Sequence, residues 1–190
     1  MSDLSVVLAG GGSAGHVNPL LATAHALKNH NVRVRAVGTK EGLEATLVPE
    51  ADVELSLIDK VPFPRRPNMA ALRFPGRYRG AVAEAGRILD EAVADVAVGF
   101  GGFVSTPVYQ AAKKRGIPVV IHEQNAKAGL ANRYGARFAA AVGLTFPSTN
   151  LEAAHGQTRC VGLPLRPAIA NLAQARTDDP RAHREEAASR

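Results

Sequence analysis

Three short segments of the chain carry residue types and spacings that could do chemistry. The first is Gly10-Gly11-Gly12-Ser13-Ala14-Gly15-His16. Its glycines let backbone approach a ligand closely, and the N–H groups opening a following helix suit a phosphate or a developing oxyanion. The second is Gly99-Phe100-Gly101-Gly102-Phe103-Val104-Ser105. It reads either as a tight turn with two aromatic core plugs or as a second wall of one cleft. The third is His122-Glu123-Gln124-Asn125, four polar residues directly after an apolar run. His and Glu exchange protons, while Gln and Asn read hydroxyls or amides.

The spacing Gly10-x-Gly12-x-x-Gly15 also matches the dinucleotide-binding fingerprint. Such a site wants an acidic residue at the end of the second strand, about 20 residues on. Here that strand ends Val37-Gly38-Thr39-Lys40, and the nearest candidate, Glu41, is late. A nicotinamide-dependent Rossmann reductase therefore stays open as an alternative without its acidic partner. No two of the histidines and Cys160 have metal-ligand spacing, and no bound metal is expected. There is no Walker lysine and no Gly-x-Ser-x-Gly elbow. His25 and His30 read as solvent-facing, and His155 as an inert residue of a polar loop.

The elements that must position these segments alternate. Leu4–Ala9 is a short continuous apolar run bounded by glycine, the pattern of a buried parallel strand. Asn18 as N-cap and Pro19 at the first helical position start a helix carrying Leu20, Leu21, Ala24 and Leu27. Strands follow at Val32–Val37, Val53–Ile58, Val96–Val98, Pro118–His122 and Ala141–Thr145, with a seventh over Arg159–Val161. Helices are predicted at Leu43–Leu47, stopping before Pro49, and at Gly80–Ala94, Pro107–Arg115 and Leu130–Phe138. The alternation specifies an α/β fold, a Rossmann-like parallel sheet with helices on both faces. Ligands of such sheets bind beyond the carboxyl ends of the strands, so all three segments fall on one edge. From Ala168 onward the chain reads as an exposed helix or a disordered end.

Composition narrows the setting. Of 190 residues, 46% are apolar, enough for a core. No stretch reaches the ~20 apolar residues of a bilayer span. No basic segment precedes an apolar run at the N-terminus, so no secretory leader is expected. One cysteine makes a reducing compartment the default. Net charge is +6, and it is concentrated. From Asp59 to Arg87, Lys60, Arg65, Arg66, Arg73, Arg77, Arg79 and Arg87 are opposed only by Asp59 and Glu84, a local excess of +5. Such a segment suggests an anionic partner: nucleic acid, a phosphorylated substrate or anionic lipid.

AGGGSAGHVNPLLATAHAL, VGFGGFVSTP, IPVVIHEQNAKAGLANR and VGLPLR, in that order, resemble the MurG family of N-acetylglucosaminyl transferases, from Leu4 to Arg166. The resemblance implies the N-terminal half of a GT-B glycosyltransferase, in which two Rossmann-like domains face across a cleft. Residues 1–162 would form the acceptor (lipid I) domain. Residues 163–190 would be the hinge, carried by VGLPLR, and the start of a donor domain missing from this chain. The implied reaction is inverting transfer of GlcNAc from UDP-GlcNAc to the MurNAc 4-hydroxyl of lipid I, giving lipid II and UDP in peptidoglycan synthesis. The isolated chain is expected to be inactive. A non-catalytic truncated paralogue, or a subunit binding lipid I or a partner donor domain, is the alternative.

Carried over by position, the resemblance makes His16 a general base, with His122 and Glu123 as further polar positions of the cleft. It makes Gly12, Ser13, Ala14, Gly15, Gly102, Phe103, Asn125, Asn132 and the hinge residue Arg166 substrate contacts. It implies no cofactor, metal or nucleic acid. Its partners are UDP-GlcNAc, lipid I, a donor domain or other cell-wall synthesis proteins, and an anionic membrane surface on the cytoplasmic face. The membrane patch would be Arg65, Arg66, Met69, Leu72, Arg73, Phe74, Arg77, Tyr78 and Arg79. Three positions depart from the family pattern. Ala14 stands where glycine is usual, and its methyl would narrow the loop if that residue needs positive φ. Phe103 replaces a frequent tyrosine and Leu163 a frequent asparagine.

Overall fold

The structure is a computed structural model describing residues 4–64, 66 and 69–178. Seven strands form one parallel sheet: β1 (Ser5–Gly10), β2 (Arg33–Gly38), β3 (Glu54–Leu57), β4 (Val96–Gly101), β5 (Val119–Glu123), β6 (Ala141–Leu144) and β7 (Gln157–Cys160). Their order is β3-β2-β1-β4-β5-β6-β7. The chain reverses its direction of growth between β1 and β4, which makes that gap the topological switch point.

Helices α1 (Ala14–Asn29), α2 (Glu44–Glu50), α3 (Met69–Glu91), α4 (Ser105–Arg115), α5 (Leu130–Gly135) and α6 (Pro167–Asp178) connect or follow the strands. Strand alternation divides the core in two. On one face Val6, Leu8, Ala36 and Phe100 pack with Val17, Leu20, Leu21 and Ala24 of α1 and Val48 of α2. On the other, Val7, Ala9, Val37, Ala97, Val119 and Ile121 pack under α3, α4 and Ala136 at the end of α5. The predicted fold class, a Rossmann-like sheet covered by helices on both faces, is the one observed.

Several boundaries differ from expectation. Helix α1 starts at Ala14 with Ser13 as N-cap, so neither Asn18 nor Pro19 opens it. Pro19 supplies no N–H to the Gly15 carbonyl, but Gly15 is exposed and water can reach that oxygen. Helix α2 likewise runs through Pro49. Helix α3 begins eleven residues before Gly80 and passes through Pro75. Its inward stripe continues unbroken from Phe74 and Tyr78 to Ala81, Val82, Ala85 and Leu89, and that packing outweighs the proline and the glycine. Strand β4 extends into the second glycine segment as far as Gly101. Exposed residues of α6 include Ile169 and Leu172; residues 179–190 lie outside the described residues.

Candidate active site

At the switch point the ends of β1 and β4 open onto a cavity of ≈ 520 Å³. Gly12, Ser13 and His16 line it from the first turn, Gly102 and Phe103 from the second, Glu123 from the third segment, and Asn132 from α5. All three segments singled out by chemistry thus share one site. The two glycine turns touch. Gly102 has φ +87°, and a Cβ there would overlap the Gly11 carbonyl oxygen, so only glycine fits.

His16 stands at the lip. Its Nδ1 lies 3.0 Å from the Gly11 carbonyl oxygen and 3.1 Å from Ser13 Oγ. A carbonyl only accepts, so in the neutral ring Nδ1 carries the hydrogen and Nε2 keeps its lone pair. Nε2 faces Gly101 closely enough that an added Cβ there would sit 3.0 Å away. The arrangement is an oriented base beside an open cavity. Ala14, as the first residue of α1, does not have positive φ, so its methyl causes no backbone strain.

Glu123 is 1% exposed, and hydrogen bonds from the third segment, the loop after it and α5 engage both its oxygens. Oε1 accepts from the Asn125 N–H (2.9 Å) and side-chain Nδ2 (2.8 Å); Oε2 accepts from the Gly129 N–H (2.9 Å) and Asn132 Nδ2 (3.0 Å). Asn132, 2% exposed, also donates to the His122 carbonyl and accepts from the Tyr109 hydroxyl at 2.8 Å. Burial raises the Tyr109 pKa and keeps that hydroxyl a donor. The polar third segment is therefore a loop folded around one carboxylate.

Strand alternation separates His122 from Glu123. His122 points to the opposite face of the sheet, 5.9 Å from the Phe100 ring, and does not line the cavity. Its Nε2 donates to the Gly162 carbonyl at 2.9 Å while Nδ1 accepts from Gln124, both contacts fitting a neutral ring. Burial lowers its pKa, against the opposing effects of the Gly162 hydrogen bond and the Glu123 charge. Ala14, Gly15, Asn125 and Arg166 are exposed and are not among the cavity's lining residues. Asn125 caps the third loop, its carbonyl taking the Thr149 hydroxyl at 2.9 Å, and the Arg166 carbonyl opens α6 by accepting from Ile169 and Ala170.

Some contributors carry no signal in the sequence. Phe63 and Pro64, from the segment between β3 and α3, form part of the cavity wall. Glu44, the first residue of α2, is 1% exposed and reaches under the first turn, where its Oε2 accepts from the Gly12 N–H at 2.9 Å. It follows the end of β2 by six positions, beyond the window in which an acid was sought.

The basic segment divides in two. Phe74 and Tyr78 turn inward, forming a cluster with Phe63 at ring-centroid distances of 4.9 Å (Phe63–Phe74) and 5.6 Å (Phe74–Tyr78). Tyr78 donates to the Thr106 carbonyl, and burial pushes its pKa up to about 12. These two residues leave the proposed surface patch and instead tie α3 to the cavity wall. Met69 (61% exposed) and Leu72 (76% exposed) point outward, among exposed Arg66, Arg73, Arg77 and Arg79. Arg65 lies outside the described residues. Among the described residues no helix is long and apolar enough to cross a membrane.

Residues 6–144 match the family model of the glycosyltransferase family 28 N-terminal domain. The chain belongs to that family. The alternative of a nicotinamide-dependent reductase gives way to it. A UDP-N-acetylglucosamine--N-acetylmuramyl-(pentapeptide) pyrophosphoryl-undecaprenol N-acetylglucosamine transferase of Bifidobacterium longum is 52% identical over 187 residues, covering 97% of this chain and 48% of the relative. The transferase of the same name from Paenarthrobacter aurescens is 56% identical over 174 residues, covering 90% of this chain and 46% of the relative. The crystal structure of Acinetobacter baumannii MurG superposes with a TM-score of 0.71 at 33% identity, over 82% of this chain and 45% of that one. The chain spans about half the length of the curated relatives it matches. As a family 28 N-terminal domain, it presents its cavity at the edge formed by Gly11–His16, Gly101–Phe103 and Glu123–Asn132.

Proposed function

We propose that this chain is the acceptor half of an inverting N-acetylglucosaminyl transferase that converts lipid I to lipid II. The observation that carries the reading is His16: a histidine whose Nδ1 is spent on the Gly11 carbonyl, leaving Nε2 as the basic atom beside the switch-point cavity. Nε2 takes the proton from the MurNAc 4-hydroxyl as that oxygen attacks the anomeric carbon of GlcNAc. The bond from that carbon to the diphosphate breaks, and UDP leaves with the electron pair. Attack opposite the leaving group inverts the anomeric configuration. Glu123 and Asn132 act by holding the loop that forms the far wall.

The donor nucleotide needs a second wall, which residues 163 onward would lead into as hinge and donor domain. UDP-GlcNAc and the pyrophosphoryl-undecaprenol-linked acceptor, lipid I, are the substrates in the name the relatives share. The outward ridge of Met69 and Leu72 among arginines suits peripheral attachment to anionic lipid on the cytoplasmic face, each basic residue near the surface contributing about 1 kcal/mol. The test is lipid II formation from UDP-GlcNAc and lipid I in anionic vesicles. The chain is assayed alone and with the C-terminal half of a relative supplied. Turnover only in the combined sample supports the reading, and none in either, with both halves folded and lipid I bound, overturns it in favour of a binding subunit.

A further inference from the structure

The β1–α1 turn of a Rossmann fold usually waits for its ligand. Phosphate takes the turn's N–H groups, and an acid beyond the second strand takes the ribose. Here the ends of β1 and β2 enclose a side chain of the protein itself. Glu44 Oε2 accepts from the Gly12 N–H at 2.9 Å, and Oε1 accepts from the Thr39 N–H and the Thr39 hydroxyl, each at 2.9 Å. Gly11, Gly38 and Gly42 pack around it so closely that a Cβ on any of the three would overlap Glu44 side-chain atoms. Three glycines from three segments thus make a cradle for one carboxylate.

We infer that Glu44 is a positioning and specificity-determining residue, a built-in anion that folds the first turn from beneath and closes the space between β1 and β2 to the nucleoside end of a dinucleotide. It fills the space between β1 and β2 in which a dinucleotide fold seats the nucleoside end of its ligand, and it occupies Gly12 as a donor. The turn is set before any ligand arrives. Gly11, the residue before Gly12, offers the carbonyl that orients His16 Nδ1, so the carboxylate acts on the cavity's base through one residue. The three groups of Gly12 and Thr39 that bond the two oxygens all donate to them, which selects Glu over Gln, since a glutamine Nε2 would confront an N–H. Burial opposes ionisation, but the hydrogen bonds from Gly12, from its own backbone N–H and from Thr39 outweigh it and hold the carboxyl below the usual glutamate range. This inference stands apart from the transfer reaction, because it concerns the free chain and no substrate.

The test is amide hydrogen exchange and histidine-ring NMR on the 190-residue chain, with E44Q and T39V beside the wild type. Gly12 belongs to an exposed turn, yet its N–H should exchange at least tenfold more slowly than that of Ser13. E44Q should remove that protection and shift the His16 ring resonances. T39V strips one of the three donors but keeps the Gly12 bond, and should leave both readouts unchanged even if it lowers the melting temperature. ADP-ribose should move no resonance of Gly11, Gly38 or Gly42 in the wild type. Equal exchange at Gly12 and Ser13, the same His16 response in E44Q and T39V, or ADP-ribose binding at these glycines would each overturn the inference. If E44Q does not fold, the wild-type exchange and ADP-ribose measurements decide alone.

Discussion

The first turn and the third loop of the cavity are built on one plan with opposite exposures of their chemistry. Each is folded around a buried carboxylate, Glu44 beneath Gly11–Gly12 and Glu123 inside residues 123–132. In the first turn the carboxylate is separate from the reactive group, and His16 keeps Nε2 open to the cavity. In the third loop the acid and the amide that line the wall are spent on each other. A run of polar residues at a strand end is thus no measure of how many of them meet a ligand. The donors already satisfied within the chain must be subtracted first.

If the contrast is right, His16 and Glu123 fail differently. Replacing His16 by Asn in an enzyme reconstituted with its second domain should lower turnover by roughly 10²- to 10⁴-fold, the span of a lost general base. Melting temperature and acceptor binding should hardly change. Glu123→Ala should instead leave four donors without their acceptor and destabilise the chain by about 3 kcal/mol, read by urea unfolding. An H16N enzyme with full turnover breaks the assignment of chemistry to the first turn. A Glu123→Ala chain as stable as the parent shows that the third loop does not depend on its carboxylate.

The contact between the turns gives the next test. Gly102→Ala puts a Cβ into the Gly11 carbonyl at φ +87°. The expected loss is about 2 kcal/mol, from backbone strain and the forced separation of the turns. Because Gly11 also orients His16, turnover should fall more than stability alone explains.

Much of this fold was legible. Runs such as Leu4–Ala9, with Ser5 its one polar residue, and Val96–Val98 are nearly continuous in apolar residues, the pattern of strands covered on both faces, and their alternation with helical segments points to the class. Helix bounds differ from expectation around three prolines: the expected start at Pro19, the expected stop before Pro49, and the expected start at Gly80, five residues past Pro75. Pro19, Pro49 and Pro75 all lie inside helices, since tertiary burial of Leu20, Val48 and the stripe from Phe74 compensates for the missing N–H. The site was half legible. Glycines and His16 announce themselves by type, but which face of β5 holds His122 depends on register, and Glu44 acts across a distance of 32 residues from Gly12. Phe63 reaches the cavity wall packed at a tilt against Phe74 and Tyr78 of α3, contacts no local pattern contains.

The finest test separates the two regions by acidity. His122 ordinarily titrates near 6.5, and its burial lowers that value in the folded chain. The unfolded state then binds the proton first, so stability rises with pH through this window and is lost as pH falls below about 6.5. The loss should loosen the neighbourhood of β5 and Gly162, whose carbonyl His122 holds. Glu44 has the same sign lower down. Its folded value lies below the ordinary 4.5, so its contribution is complete above that pH and is lost only as pH falls from there through the depressed value. Amide exchange followed from pH 7.5 to 4 should therefore show Gly162 and its neighbours losing protection first, with Gly12 protected until below 4.5. Simultaneous loss at both places would mean that the two regions unfold as one unit rather than as separately tied loops.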